Sequence, residues 1–177
     1  MNLYYSVPGK IWWIHNFLDT DMYKGIHDAI IKERKQINLH TSKGVWEEGL
    51  IERLNPPLRT SVSNYQPFEK LKSLVKSNPF FKFDEVTKMS SNIHYMKKSS
   101  GINWHNDGSW KYGATYYINN RWNSNWGGEF MYADSTAYGW LPLKGNSIVI
   151  IKSPFQHKVN PVLTDIMPRI SVQIFMK

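Results

Sequence analysis

Short apolar segments recur at regular intervals from about residue 84 to the end of the chain, and this pattern constrains the fold more than any other feature. The segments are rich in β-branched and aromatic residues, and turn-forming residues separate them. Such a succession predicts an all-β sandwich or barrel, such as a jelly roll. The predicted strands are residues 86–97, 114–119, 129–133, 139–142, 147–152, 157–159 and 170–176.

The first half of the chain has a different pattern, with one strand and two helices. Residues 10–17 predict a buried strand, and Asp19 or Thr20 then caps a helix of roughly 14 residues. A second helix is predicted from Pro67 to a point before Pro79. Residues 36–66 predict irregular structure with a short strand at 59–63. The apolar stripes of the two helices are Met22, Ile26, Ile30 and Ile31, and Phe68, Leu71, Leu74 and Val75.

Together these patterns predict one domain, residues 1–177. In this reading residues 89–177 form a mainly β core, a double-stranded β-helix of the jelly-roll or cupin-like type. Residues 1–88 form a supporting region whose helices pack on one sheet of that core.

Composition excludes several classes of protein. The chain has 8 Trp, 10 Tyr and 8 Phe, which argues against intrinsic disorder. It has no Cys, which excludes a disulfide framework and a thiolate metal site and favours a reducing compartment. Residues 1–8 lack the pattern of a signal peptide, and no apolar run is long enough to span a bilayer. We therefore expect a cytoplasmic protein without a membrane partner.

The formal net charge of +8 allows more than one partner. The last 89 residues carry 9 basic and only 4 acidic side chains, so each acid there is conspicuous. A basic field attracts an anionic small molecule, an acidic peptide or nucleic acid. A lysine-rich surface that serves solubility explains the same charge.

Three residues have the types and spacing of a metal site. On an extended strand His105 and Asp107 project from one face, since side chains two residues apart share a face. His157 is the only histidine downstream of Asp107 and follows an apolar predicted strand, from which it can supply a third ligand. Two imidazoles and one carboxylate are the facial triad of non-haem Fe(II) oxygenases. The alternatives are that His105 and Asp107 form a polar pair on the surface, and that His157 is a buried structural histidine.

Arg169 begins a strand with one polar and one apolar face. Arg169, Ser171 and Gln173 share a face in this alternation, and Ile170, Val172 and Ile174 share the other. If the polar face lies inside the barrel, the guanidinium needs an anion, and a dicarboxylate would supply one through bidentate hydrogen bonds. If that face meets solvent, Arg169 needs no special role.

The order of these motifs resembles the prolyl 4-hydroxylase-like branch of the 2-oxoglutarate/Fe(II)-dependent oxygenases. The resemblance covers about residues 89–177. It rests on a Tyr ten residues before His-x-Asp, then Tyr-Tyr-Ile-Asn, Gly-Gly-Glu, Pro142 to Gly145, His-x-Val-x-Pro-Val and Arg-x-Ser. Collagen-type members carry Lys where this chain has Arg169, so oxygen-sensor-type and bacterial or viral members are more similar. The interval from His157 to Arg169 implies a longer turn at residues 163–167.

The resemblance implies a role for each matched residue. Iron falls on His105, Asp107 and His157, and the distal carboxylate of 2-oxoglutarate falls on Arg169. The resemblance implies Tyr117 as a second donor to that carboxylate. Tyr116 and Tyr117 point to opposite faces, so only one of the two can face the site. The remaining implied pocket residues are Tyr95, near the metal, and Ser171. Zn, Mn or Ni can bind the same ligands.

The implied activity is hydroxylation of a C–H bond, most simply of a prolyl residue in a peptide or protein. The co-substrates are 2-oxoglutarate and O2, the products include succinate and CO2, and ascorbate is a supporting reductant. Three alternatives remain: a nucleic-acid oxygenase, a cupin-like binding module without turnover, and an oxygenase of small molecules. The predicted site mouth comprises residues 40–66 and Trp104, Trp110, Tyr112, Arg121, Trp122 and Trp126.

Overall fold

The computed structural model describes residues 1–33, 40–41, 55–61, 66–80, 83 and 86–177. The helices are α1 (Thr20–Glu33) and α2 (Gln66–Lys76). The strands of the first half are β1 (Asn2–Val7), β2 (Ile11–His15), β3 (His40–Thr41) and β4 (Leu58–Ser61). Those of the second half are β5 (Met89–Met96), β6 (Ile102–His105), β7 (Tyr112–Tyr117), β8 (Phe130–Ala133), β9 (Tyr138–Leu141), β10 (Ser147–Lys152), β11 (Gln156–Val159) and β12 (Arg169–Met176).

The strands form two sheets that face each other. The larger sheet has the order β1-β2-β10-β7-β12-β5-β4-β3, and the smaller has the order β6-β11-β8-β9. From β5 onwards the chain passes back and forth between the two sheets, which is the winding of a double-stranded β-helix. The predicted mainly β jelly-roll fold is therefore confirmed.

The two helices pack on the outer face of the larger sheet, as the apolar stripes predict. Ile26 of α1 and Leu71 of α2 join a core with residues of β2, β7, β10 and β12. Asp19 is the cap of α1, since its Oδ1 accepts from Met22 N at 2.8 Å. The assignment of Ile31 to the apolar stripe is wrong, because its side chain is 43% exposed. Neither helix has the length and apolarity that crossing a bilayer requires.

The inner faces of the sheets enclose the barrel interior. Tyr117 of β7, Phe130 of β8 and Ile151 of β10 contribute to this second core. β12 lies between β7 and β5 and sends alternate side chains to the interior and to the helices. Its interior residues Arg169 and Ser171 are both fully buried, so the polar face of this strand is not a solvent face.

Several predicted boundaries differ from the structure. β1 was not predicted, and it pairs with β2 through a turn in which Lys10 N donates to Val7 O. β7 begins at Tyr112, two residues earlier than predicted, and β5 begins at Met89. The strand predicted at residues 59–63 is β4, which ends at Ser61. Most of the region predicted to be irregular lies outside the described residues.

Candidate active site

The side chains of His105, Asp107 and His157 converge at one end of the barrel. Their ligand atoms all lie within 4.8 Å of one another. The imidazole centroids of His105 and His157 are 4.3 Å apart, and Asp107 Oδ1 lies 3.7 Å from His157 Nε2. β6 and β11 pair with His105 opposite His157, which explains how residues 52 positions apart meet. The sequence-predicted triad is thus one compact cluster.

Backbone carbonyls orient both imidazoles. His105 Nδ1 donates to Asn103 O at 2.8 Å, and His157 Nδ1 donates to Phe155 O at 3.2 Å. A carbonyl accepts but cannot donate, so Nδ1 carries the proton and each Nε2 keeps its lone pair for a metal. Phe130 stacks on the His157 ring with centroids 5.3 Å apart, which further restricts the ring.

Burial keeps these imidazoles neutral. Desolvation is the largest cause that lowers the pKa of His105 to about 4, with the neighbouring His157 second. Desolvation likewise lowers the pKa of His157 to about 4. Burial raises the pKa of Asp107, and the nearby His105 opposes that shift. Two neutral nitrogens and a desolvated carboxyl, which a cation would hold ionised, suit a divalent metal.

Asp107 reaches this cluster by a turn rather than by strand alternation, which corrects the expected geometry. β6 ends at His105, and Gly108 N donates to Asn106 Oδ1 while Gly108 takes a φ of +59°. The turn brings the carboxylate against the backbone of β7 at Gly113. A Cβ at Gly113 would overlap Asp107 Oδ2, so this position accommodates the carboxylate because it has no side chain.

Arg169 lies deeper in the barrel and is fully buried. Its Nε donates to Gly128 O at 3.0 Å, and its Nη1 lies 3.1 Å from Ser171 Oγ and 3.6 Å from Met96 Sδ. Burial is the main cause that lowers its pKa, and Tyr117 and Glu129 oppose the shift. None of its hydrogen-bond partners in the described ranges is a carboxylate.

Two buried donors at this end have no hydrogen-bond partner among the described residues. They are Arg169 Nη2 and the hydroxyl of Tyr117. The guanidinium carbon lies 5.1 Å from the centroid of the Tyr117 ring, so the two groups are neighbours. Burial raises the pKa of Tyr117 and keeps its hydroxyl protonated as a donor, and the charge and polar contact of the neighbouring Arg169 oppose that shift. Such a pair suits the carboxylate of a bound anion.

Sequence reasoning missed polar groups between the two ends. Thr115 Oγ1 donates to Gln173 Oε1 at 2.7 Å, and both residues line the cavity that holds His105, Asp107 and His157. His94 of β5 is fully buried, and desolvation followed by the charge of Arg169 lowers its pKa to about 3. The sequence pattern placed Gln173 on the polar face of β12, whereas only the strand register reveals Thr115 and His94.

Tyr95 does not join the site, which corrects its assignment to the pocket near the metal. Its register partner on β12 is Ile170, and both pack with the core beneath the helices. The neighbouring Met96 is the residue that contacts Arg169. Counting ten residues back from His105 ignored the strand alternation, which turns Tyr95 to the opposite face.

The predicted mouth residues divide into separate locations. Tyr112 is buried in the core beneath the helices, so its assignment to the mouth is wrong. Trp110 packs 5.7 Å from Phe175, which lines the metal-end cavity. Trp104 is 43% exposed beneath Lys158, and Arg121 is exposed. Trp122 and Trp126 make an edge contact at 5.4 Å. Residues 42–54 and 62–65 lie outside the described residues.

Comparison with known families finds one match. The profile described as "2OG-Fe(II) oxygenase superfamily" matches residues 91–177. That span includes all three residues of the convergent cluster and Arg169. A search of curated protein sequences gives no match.

Comparison with solved structures finds the same fold in prolyl hydroxylases. A prolyl-4-hydroxylase from Pseudomonas putida has a TM-score of 0.73 at 12% identity, over 95% of this chain and 92% of that chain. A Trichoplax adhaerens prolyl hydroxylase, in complex with a hypoxia inducible factor oxygen degradation domain peptide, gives 0.75 at 14%, over 96% and 84%. The viral collagen prolyl hydroxylase of Paramecium Bursaria Chlorella virus-1, a 2OG complex, gives 0.69 at 14%, over 96% of both chains.

Proposed function

Because this chain belongs to the 2OG-Fe(II) oxygenase superfamily, we propose that it is a dioxygenase that hydroxylates a prolyl residue in a peptide or protein. In this proposal His105, Asp107 and His157 hold Fe(II), and Arg169 with Tyr117 holds the distal carboxylate of 2-oxoglutarate. The observation that carries the proposal is the pairing of a compact His-Asp-His cluster with two buried, unpartnered donors in one barrel.

The donor set fits the proposed cofactors. Two neutral imidazoles and a carboxylate match Fe(II) and leave coordination positions open on one side. When bound, Fe(II) and 2-oxoglutarate supply the oxidising chemistry, in which O2 is consumed and succinate and CO2 are released. A carboxylate at Arg169 Nη2 and the Tyr117 hydroxyl would satisfy both donors and neutralise the buried cation.

The protein's own residues contribute orientation and exclusion of water. Asn103 O and Phe155 O fix the imidazole tautomers, so the ligand nitrogens are set before any metal arrives. Gln173 lies between the two ends, and its Oε1 is engaged by Thr115. In this proposal the amide N–H groups of Gln173 would donate to bound 2-oxoglutarate. Phe130 and Ile151 line the same cavity and exclude water.

The prolyl substrate is the finer part of the proposal and rests on the fold shared with three prolyl hydroxylases. One of them is in complex with a peptide fragment, which favours a peptide or protein as the substrate class. The nucleic-acid alternative rests only on the net charge of +8. We also propose that the protein is cytoplasmic, since it has no Cys that would require an oxidising compartment. We propose further that residues 1–177 form one domain.

Succinate formation from 2-oxoglutarate tests the proposal. The protein would be supplied with Fe(II), ascorbate and O2 and with proline-containing peptides, each matched by a peptide in which alanine replaces proline. Oligonucleotides complete the panel, and mass spectrometry follows the gain of one oxygen atom. We expect succinate and oxygen gain with proline-containing peptides alone. Oxygen gain on the alanine peptides or on nucleic acid would overturn the prolyl substrate, and failure to bind 2-oxoglutarate would overturn the activity.

A further inference from the structure

A groove of about 310 Å³ lies on the face of the smaller sheet that points away from the barrel interior. Its walls include Trp122, Met131 and Trp140. Met131 of β8 pairs with Trp140 of β9, and both face away from Phe130 and Tyr132, which point into the barrel. The groove is therefore separated from the His-Asp-His cluster by the thickness of the sheet.

Glu129 gives this groove its charge. It is the one charged side chain among the described residues that line the groove, in a protein whose formal charge is +8. Asn160 Nδ2 donates to Glu129 Oε2 at 3.2 Å, which holds the carboxylate in place and leaves its other lone pairs available. A carboxylate between aromatic walls favours a cation, and no basic side chain is among the described residues that line this groove.

The two aromatic walls differ in how far protein contacts already occupy them. Trp122 Nε1 donates to Gly127 O at 2.9 Å, and the Trp122 ring meets Trp126 edge-on, so this wall is fixed. Trp140 is 59% exposed and offers its ring to a ligand. A guanidinium suits this arrangement better than an ammonium, because it is planar, weakly hydrated, stacks on indole and pairs with a carboxylate.

The adjacent strand indicates a peptide as the source of the cation. β9 is an edge strand of the smaller sheet. An extended peptide can pair with such an edge and place alternate side chains on one face of the sheet. Tyr138, two residues before Trp140 on the same face, is 88% exposed and continues the surface along that path.

We propose that this groove binds an arginine side chain of a peptide or protein partner, with the guanidinium stacked on Trp140 and Trp122 and paired with Glu129. The site stands on the groove alone and does not depend on which residue the enzyme hydroxylates. It would give the enzyme a second contact with its peptide or protein substrate.

Binding of labelled single-arginine peptides to the full chain tests this site by fluorescence anisotropy. The matched peptides carry citrulline, which keeps the shape and removes the charge, or lysine. We expect citrulline to bind about tenfold more weakly than arginine, with lysine intermediate. Trp140→Ala and Glu129→Gln should each lose about tenfold, whereas Tyr4→Ala, an exposed aromatic on β1 of the larger sheet, should lose little.

Trp140→Ala is the more secure variant, since Glu129 also raises the pKa of Arg169 and its replacement can affect the barrel. Thermal unfolding of each variant confirms folding. Equal binding of arginine and citrulline peptides, or equal losses in Trp140→Ala and Tyr4→Ala, would overturn the proposal. An oligonucleotide that competes for the groove, or lysine binding as tightly as arginine, would overturn the choice of ligand.

Discussion

The two ends of the barrel differ in whether their buried polar groups have hydrogen-bond partners within the protein. At the metal end, backbone carbonyls accept from both imidazoles, so the ligands are oriented within the protein itself. At the Arg169 end, a fully buried cation and a buried hydroxyl keep donors without partners. The metal end is therefore organised before it binds, whereas the Arg169 end is electrostatically incomplete. The second end should gain more stability from its ligand.

The largest expected effect comes from removing the metal end. His157→Ala takes away one of three ligands and leaves a cavity beside Phe130, so we expect loss of Mn(II) or Fe(II) binding and of turnover. Calorimetric titration with Mn(II), a redox-silent stand-in, measures this. His27→Ala, on the far helix α1, is the matched control and should bind as the unaltered protein does. Retained metal binding in His157→Ala would show that the cluster is not the metal site.

Changing Arg169 should separate ligand binding from stability. Arg169→Met removes charge-assisted hydrogen bonds to 2-oxoglutarate, and we expect its affinity to fall on the order of 100-fold. Without 2-oxoglutarate the same change removes a buried charge to which no carboxylate of the described residues is hydrogen-bonded, so the free energy of unfolding should rise by about 1–4 kcal/mol. Denaturant unfolding and anaerobic 2-oxoglutarate binding measure the two effects, with exposed Arg121→Met as the control. A loss of stability would contradict the conclusion that the Arg169 end is electrostatically incomplete without its ligand.

A methyl group at Gly113 should damage the metal end alone. Gly113→Ala places a Cβ where Asp107 Oδ2 lies, so the carboxylate must move and metal affinity should fall about tenfold. Gly25→Ala, in α1, meets no atom within 4 Å and should instead stabilise the protein by about 0.5–1 kcal/mol. Mn(II) titration and thermal unfolding of the two variants give the comparison. Unchanged Mn(II) affinity in Gly113→Ala would argue against this positioning of Asp107.

The last prediction concerns the pH dependence of stability. His105 and His157 have pKa values of about 4 in the folded, metal-free protein against 6.5 for ordinary histidine. The unfolded chain therefore binds more protons between these values, and the stabilising contribution is present above pH 6.5 and lost as the pH falls through 4. Unfolding of metal-free protein from pH 7 to 4 measures this loss. Replacing both histidines by glutamine should reduce the slope of the free energy of unfolding against pH. An unchanged slope would show that other groups cause the pH dependence.

The sequence predicted the composition of the site better than its geometry. His105, His157 and Arg169 could be found because strand periodicity and spacing mark them. Tyr95 could not be placed, because a motif count does not contain the register that turns it toward the helices. The strand that was expected to contain Asp107 ends at His105, and the turn at Gly108 brings the Asp107 carboxylate to the two imidazoles. Thr115 and His94 depend on cross-strand pairing, a long-range property that no local pattern encodes.

Anaerobic titration of 2-oxoglutarate tests the central claim most directly, with unaltered protein, His157→Ala and Arg169→Met each supplied with Fe(II). The two-ended site predicts tight binding to the unaltered protein and little binding to His157→Ala. Arg169→Met should keep its metal and bind 2-oxoglutarate far more weakly. Equal binding of 2-oxoglutarate by Arg169→Met and the unaltered protein would contradict the account, as would an unaltered protein that binds neither Fe(II) nor 2-oxoglutarate.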